Sequence, residues 1–430
     1  MKLYILSIIA LSNVACGKPK NRDRIDPLRE VSVHNLGQIL DGSCSGSDAD
    51  ELCELISVSE SWQSHSARGE RPGILVIDRG GGLTAHTRYK SQVDAVYKIG
   101  DRGTLQVDEE GAEAPRGAVE FLSSLDYDGV AFSDTQPHFY DFVRKYGPIL
   151  RDHYLGQHGV GIFNYIASHN PSHPLSLISN FDDILTKDLA CDLGKSDQAN
   201  NRAREYVETL ASGIEKIVIS SGIRFINLSA GGNEVVFRKN YQSSCHGLHR
   251  RGAQQYSKLW LEFLTTIGSI DGVYLVQAGV TAKNDIDQEA FEPDCALIPN
   301  RVRVGYVAQT GFTIPQEGSA SVSLLPEAMQ GTWQCMDLYV NSGFYEDPST
   351  LDFVERDPQL KFSRFGVGEY TPGSGNATSW SAPLALTMLA SWDHYHGDES
   401  SSSVTNMVKK LTNESVNRIF DPVAHGKDRN

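Results

Sequence analysis

Three residues of the types used in nucleophilic catalysis occur far apart in the chain: Asp78, His158 and Ser379, in that order. A serine hydroxyl is a weak nucleophile until a neutral imidazole takes its proton. A carboxylate then holds the imidazole in the correct tautomer and stabilises the imidazolium. The set predicts acyl transfer, with Ser379 as nucleophile, His158 as general base and then acid, and Asp78 as the group that orients His158.

Each of these residues also has an ordinary structural interpretation. Asp78 precedes a glycine-rich segment, as turn-forming aspartates do. A lone histidine at the start of a helix, such as His158, is more often structural than catalytic. Ser379 precedes the apolar run 384–392, so it is also a candidate helix cap. The catalytic interpretation therefore depends on the three residues acting together.

The elements that would position these residues are short apolar segments alternating with longer helical patterns. Strands are predicted at 74–77, 129–132, 224–228, 273–276, 301–307 and 336–340, and helices at 48–58, 139–154, 160–168, 200–220, 256–267, 384–392 and 403–420. This alternation predicts an α/β fold with a largely parallel sheet. Functional residues of such folds gather at the carboxyl ends of strands. Asp78, Ser229 and Gly279 all follow predicted strands.

The composition is that of a globular protein, with 430 residues, 40% of them hydrophobic and 22% charged. The formal net charge of −15 argues against nucleic acid and anionic membrane surfaces as partners. No apolar run of 18 residues occurs in the body of the chain, so no internal transmembrane helix is predicted.

The first residues have the pattern of a bacterial export signal. Lys2 is followed by a mostly apolar run, 3–14, which predicts a signal peptide over 1–15. The end of this segment resembles a lipobox, which makes Cys16 the predicted lipidated residue, followed by a polar tether over 16–70. The resemblance implies a lipid anchor in the cell envelope, on the periplasmic or surface face of the outer membrane. The alternative is plain secretion without a lipid.

Cysteine usage agrees with export. Six cysteines remain after Cys16, enough for up to three disulfides, and the closely spaced Cys44 and Cys53 form the first expected pair. Cys245 and the nearby His246 and His249 have a spacing seen in metal sites, but no second ligand pair is present. A disulfide explains Cys245 better, so no metal site is predicted.

Four segments, in the right order, resemble the signature segments of the subtilisin-like serine peptidases, or subtilases. In chain order they cover the aspartate, the histidine, the substrate-binding strand and the serine: 74–80 (ILVIDRG), 158–160 (HGV), 226–232 (INLSAGG) and 378–383 (TSWSAP). The resemblance implies a three-layer subtilisin-like fold with a mostly parallel central sheet flanked by helices. It assigns this fold to residues 71–425, with an insertion around 100–154.

The same resemblance implies a function. It makes the chain a serine endopeptidase acting on polypeptide substrates through Asp78, His158 and Ser379, with Ser229, Ala230 and Gly231 lining the pocket for the substrate side chain. No cofactor is required, and structural calcium is expected only because subtilases often carry it. The sequence does not predict an oligomeric state.

One departure divides the functional hypotheses. Subtilases place an asparagine after the strand that ends near Gly279, and its side chain completes the oxyanion hole. Val280 stands at that position here, so either Asn284 supplies the donor from a remodelled loop, or the oxyanion hole relies on backbone N–H groups, or the activity is weak. Losing such a donor costs about 10²–10³ in turnover. The chain is therefore either a subtilisin-like endopeptidase or a weak or inactive subtilase that binds peptides or partner proteins at the envelope.

Overall fold

The chain is described here from a computed structural model. The structure describes residues 55–58, 71–86, 89–108, 112–115, 158–245, 247–279, 292–313, 321–324, 336–345, 362–363, 366–367, 378–396 and 419–420.

Fourteen strands and eight helices lie within these residues. The strands are β1 (Leu55–Val58), β2 (Gly73–Ile77), β3 (Val93–Ile99), β4 (Leu105–Val107), β5 (Ala112–Pro115), β6 (Leu175–Ile178), β7 (Ile223–Leu228), β8 (Tyr274–Ala278), β9 (Arg301–Thr313), β10 (Ser321–Leu324), β11 (Leu338–Tyr345), β12 (Phe362–Ser363), β13 (Gly366–Val367) and β14 (Ile419–Phe420). The helices are α1 (Gly82–His86), α2 (His158–His169), α3 (Lys187–Asp192), α4 (Asp197–Ser220), α5 (Glu234–Tyr241), α6 (Arg250–Gly268), α7 (Glu292–Cys295) and α8 (Thr378–His396).

The main sheet is mostly parallel, as the sequence predicted. Its strand order is β14-β11-β9-β8-β7-β2-β6-β3-β4, and β10 pairs with β9 outside this path. Only β4 and β10 pair antiparallel with their neighbours in this sheet, among the residues that the structure describes. The fold is therefore α/β, with helices against a largely parallel sheet.

The helices cover both faces of the sheet. Alternate residues of β2 point to opposite faces, so Leu75 and Ile77 join the core under α4 and α6. Ile74 and Val76 join the core under α2 and α8. All four side chains are fully buried. A strand with helices on both faces is apolar at every position, which is why β2 is a continuous hydrophobic run.

The connection from β3 to β6 has the opposite hand to the one from β2 to β3. The chain passes from β2 beyond β6 to β3 with α1 on one face, then returns to β6 with α2 on that same face. Two connections that cross the sheet in opposite directions on the same face have opposite hands. About 98% of crossovers between parallel strands are right-handed, so one of these two connections is of the rare left-handed kind. The connection from β3 to β6 brings α2 to the face that also carries α8.

Several sequence predictions need correction or extension. Residues 55–58 form strand β1 rather than the end of a helix, pairing antiparallel with β5, because Ile56 and Val58 favour extended backbone. Ile419–Phe420 likewise pairs with β11 instead of ending a helix. Strands β3 and β6 were not predicted. The predicted strand 129–132 and helix 139–154 lie outside the described residues.

One disulfide joins α3 to the segment just after α5. Cys191, in α3, is bonded to Cys245 just after α5, with a Cα–Cα distance of 5.4 Å. Cys295 is also disulfide-bonded. Cys245 thus has the structural role that its sequence context favoured, while Cys44 and Cys53 lie outside the described residues.

Within the described ranges, no helix combines the length and apolar character needed to cross a membrane.

Candidate active site

The candidate site lies where the strand order of the sheet reverses. The chain forms β3 and β6 on one side of β2, then β7, β8 and β9 on the other. In the ladder, Ile77 lies between Ile178 and Leu228, so the carboxyl ends of β2, β6 and β7 are level. Such a reversal opens a crevice at the carboxyl ends of the strands.

Asp78 and His158 form a hydrogen-bonded pair at this crevice. Asp78 directly follows β2 and is 6% exposed, and His158 is the first residue of α2. His158 Nδ1 lies 2.9 Å from Asp78 Oδ1 and 3.0 Å from Asp78 Oδ2. The Arg79 backbone N–H also donates to Asp78 Oδ1 at 2.7 Å. A carboxylate on Nδ1 leaves Nε2 as the imidazole nitrogen that can accept a proton.

Gly159 allows α2 to approach β2 closely enough for this pair. Its backbone N–H donates to the Arg79 carbonyl at 2.7 Å. A Cβ at position 159 would lie 2.6 Å from that carbonyl oxygen and 2.9 Å from the Asp78 Cβ. Any side chain would push the helix away, so the glycine after His158 is required by packing.

The pair shifts the proton affinity of both partners. Burial raises the pKa of the Asp78 carboxyl, although the hydrogen bond to His158 opposes the shift. For His158, burial lowers the pKa, but the hydrogen bond and the charge of Asp78 raise it by more, and the net direction is upward. His158 is therefore a stronger base than a free histidine.

Ser379 is held at the same crevice through Ser229. The Ser229 hydroxyl donates to the Ser379 carbonyl at 3.1 Å, and the Ser379 hydroxyl donates to the Ser229 carbonyl at 3.4 Å. Pro383 explains the first contact, because position 383 would normally donate its N–H to the carbonyl four residues earlier, and proline has none. The Ser379 carbonyl is thus left for Ser229.

Two polar contacts fix α8 relative to the elements that carry the rest of the site. The Asn170 side-chain amide, just after α2, donates to Thr387 Oγ1 at 3.0 Å. The Arg224 guanidinium on β7 forms an ion pair with Asp393 at 2.8 Å. Helices α2 and α8 therefore share one buried core, which sets His158 and Ser379 on the same side of the sheet.

A cavity of about 470 Å³ opens at the crevice. It is lined by Asp78, Arg79, His158, Phe181, Asp182, Ser229 and Ala230. Ser229 and Ala230 were predicted to line a substrate pocket. Phe181 and Asp182 were not singled out, because they follow β6, whose four residues are too short a run to stand out in the sequence.

Asp183, next to this cavity wall, is a partly buried carboxylate held by two tyrosines. The Tyr241 hydroxyl donates to Asp183 Oδ2 at 2.9 Å, and the Tyr256 hydroxyl donates to the same oxygen at 2.7 Å. The Ile184 backbone N–H donates to Oδ1 at 2.6 Å. Burial nevertheless raises the pKa of Asp183 to about 6. The network ties the segment after β6 to α5 and α6.

Asp183 should make stability fall as the pH rises from about 4 to about 6. The folded chain holds a proton at Asp183 in this window, whereas the unfolded chain releases it at its ordinary pKa. The stabilisation is thus fully present below about pH 4 and lost near pH 6. A shift of about two pKa units corresponds to about 3 kcal/mol. Between pH 4 and pH 6 the free energy of unfolding should therefore fall by about that amount more in the wild type than in Asp183→Asn, as urea unfolding at each pH would measure.

A second variant separates this titration from a general loss of packing. Tyr241→Phe removes a hydrogen bond that lowers the Asp183 pKa, so the fall in unfolding free energy should extend to higher pH. Identical pH profiles for wild type and Asp183→Asn between pH 4 and 6 would contradict the assignment.

The other predicted site residues fall into two groups. Val280, Asn284 and Cys16 lie outside the described residues. Gly231 lies in the described segment after β7, half-buried beside Ala230.

In the described ranges no group of three or more His, Cys, Asp or Glu residues could hold a metal ion. Cys245 is in a disulfide, so the Cys245–His249 metal alternative does not apply.

Comparisons with models of known families, with curated proteins and with solved structures yield no match to the chain. The function is therefore inferred from the geometry of the site and from the sequence segments described above.

Proposed function

We propose that this chain is a serine endopeptidase of the subtilisin type, which hydrolyses peptide bonds through an acyl-enzyme. The observation that carries the proposal is the contact of His158 Nδ1 with both carboxylate oxygens of Asp78 at the carboxyl end of the central strand. The reversal of strand order at β2 and the adjoining cavity support it, since this is where α/β folds bind ligands.

In this mechanism Ser379 Oγ attacks the scissile carbonyl while His158 Nε2 takes its proton. His158 then donates that proton to the leaving amine, and Asp78 stabilises the imidazolium in between. Water hydrolyses the acyl-enzyme with His158 again acting as base. The Ser379 backbone N–H, at the start of α8, is one oxyanion donor. Asn284 is the proposed second donor, because Val280 has no polar side-chain group.

The substrate backbone is proposed to pair with Ser229, Ala230 and Gly231 by strand addition. A buried chain of polar contacts supports this segment. The Gln277 side-chain amide donates to the Ala230 carbonyl at 3.1 Å, and Arg301 donates to Gln277 Oε1 at 3.3 Å. A rigid segment after β7 loses little conformational entropy when a peptide docks on it.

One observation favours the rival function, a subtilase fold that binds peptides without cleaving them. The Ser379 hydroxyl donates to the Ser229 carbonyl, so its single proton is not directed at His158. Catalysis requires this side chain to turn towards His158 Nε2 when substrate binds. Such contacts are often long or misaligned in ligand-free enzymes, which is why the peptidase remains the leading proposal.

Labelling with a fluorophosphonate probe tests the proposal, because the probe reacts with activated serines only. Wild type should be labelled between about pH 6 and 9, where His158 becomes neutral, and Ser379→Ala should not. Ser381→Ala is the matched control, since Ser381 is fully buried on the same helix. Absence of Ser379-dependent labelling across this range would contradict the peptidase and favour the binding protein.

The protein is also proposed to be exported and anchored by a lipid on Cys16, at the outer membrane of the cell envelope. The disulfide between Cys191 and Cys245 supports export, because disulfides persist in oxidising compartments. Mass spectrometry of the mature N-terminus tests this proposal. A diacylated Cys16 would support the anchor, and an unmodified chain released into the medium would favour plain secretion.

A further inference from the structure

An ion pair between Arg79 and Asp182 lies on the wall of the cavity beside His158. The Arg79 guanidinium lies 3.0 Å from Asp182 Oδ1, and both side chains are largely exposed, at 60% and 64%. Both residues line the cavity. Because the pair is open to solvent, a charged group of a bound molecule can exchange with either partner.

Asp182 is the fixed member of this pair. The backbone N–H of the preceding residue, Phe181, donates to the Asp78 carbonyl at 3.2 Å. The following residue, Asp183, is held by Tyr241 and Tyr256. Arginine, by contrast, carries its charge on a long, mobile stem with large rotamer entropy. A competing cation would therefore displace Arg79 from Asp182 while the carboxylate stays in place.

The charge balance of the cavity favours a cation. With His158 neutral, as a resting general base must be, two carboxylates (Asp78 and Asp182) face one guanidinium (Arg79). Burial has the largest effect on the Asp78 pKa, but the charge of Asp182 raises this pKa as well. The Asp182 carboxylate therefore contributes to the electrostatic potential at the site. The formal net charge of −15 adds a field that attracts cationic molecules to the protein.

We infer that the cavity selects polypeptide substrates with a lysine or arginine side chain near the scissile bond, and that Asp182 is the residue that recognises it. The aliphatic stem of that side chain would lie along the cavity wall beside Ala230, with its charged end displacing Arg79. This inference rests on the proposed function, since it takes the cavity to be where a polypeptide binds.

Peptide binding to the Ser379→Ala variant tests the inference without turnover. The probes are fluorescein-labelled decapeptides that differ only by lysine, norleucine or glutamate at one scanned position, with affinity measured by fluorescence anisotropy. At one position the lysine peptide should bind about threefold more tightly than the norleucine peptide. Adding Arg79→Gln should raise the preference to about fivefold, the effect of an exposed ion pair without a competitor.

Adding Asp182→Asn instead should reverse the preference to glutamate, because Arg79 is then released to bind an anion. Asp271→Asn is the matched control, since it removes the same charge from an exposed turn before β8, at the amino ends of the strands and so at the opposite end from the site. It should leave the lysine preference unchanged. A lysine preference that survives Asp182→Asn, or a glutamate preference in the Ser379→Ala parent, would overturn the inference.

Hydrolysis of the same peptides by the wild-type protein separates the two proposals. Cleavage without any lysine preference would contradict the role of Asp182 and leave the peptidase standing. An Asp182-dependent lysine preference in binding, with no hydrolysis by wild type, would support the role of Asp182 and contradict the peptidase.

Discussion

Replacing Ser379 by alanine should lower kcat for peptide hydrolysis by about 10⁶-fold while changing KM much less. The expected size is that of removing the nucleophile of a catalytic triad, after which only binding and oxyanion stabilisation remain. Because the Ser379 hydroxyl also donates to the Ser229 carbonyl, the variant loses one long hydrogen bond of 3.4 Å, which has little effect on folding. Hydrolysis of a fluorogenic peptide at high enzyme concentration measures the change.

The control for this experiment is again Ser381→Ala. The Ser381 hydroxyl has no hydrogen-bond partner in the described part of the chain, so its loss should leave kcat within about twofold. A Ser379→Ala protein that keeps wild-type activity would show that another group is the nucleophile. Equal losses in the two variants would point to damage to α8 instead.

Replacing Asp78 by asparagine should lower kcat by about 10⁴-fold, because an amide can hold His158 in the wrong tautomer. It should also move the acid limb of the kcat/KM profile to lower pH. The hydrogen bond and charge of Asp78 are what raise the His158 pKa against the effect of burial, so removing the charge lowers it. The general base would then be neutral, although poorly oriented, at a lower pH.

The pH profile distinguishes this role from a purely structural one. A fold that is merely damaged would lose activity without moving the acid limb. Asp271→Asn, far from the site, should change neither kcat nor the position of that limb. Retention of full activity by Asp78→Asn, or an acid limb that stays at the wild-type pH, would contradict the pairing with His158 as the basis of catalysis.

Strong local patterns in the sequence predicted a substantial part of this site. The run 74–77 is apolar at every position, and in the structure it forms the central strand with Asp78 at its end. The predicted strands that precede Ser229 and Gly279 are β7 and β8, and the helical pattern after His158 is α2. These segments are recognisable because a strand or helix buried against a core must be apolar in a regular pattern.

The weaker patterns were missed for the same reason. Strand β6 has only four residues, and β3 mixes buried with half-buried positions, so neither stands out locally. Without these strands the sequence could not show that the strand order reverses at β2. It therefore could not indicate that Phe181 and Asp182 would form one wall of the cavity.

By itself, the sequence determined the α/β class, the central strand and the three chemically active residue types, because each depends on local composition and periodicity. Only the tertiary structure decided which of them meet. The pairing of Asp78 with His158 depends on helix α2 packing closely against the end of β2 at Gly159, and the contact of Ser379 with Ser229 depends on a carbonyl freed by Pro383. The Asp183–Tyr256 and Arg79–Asp182 contacts join residues far apart in sequence. Contacts of this kind are set by packing between elements, which local patterns do not encode.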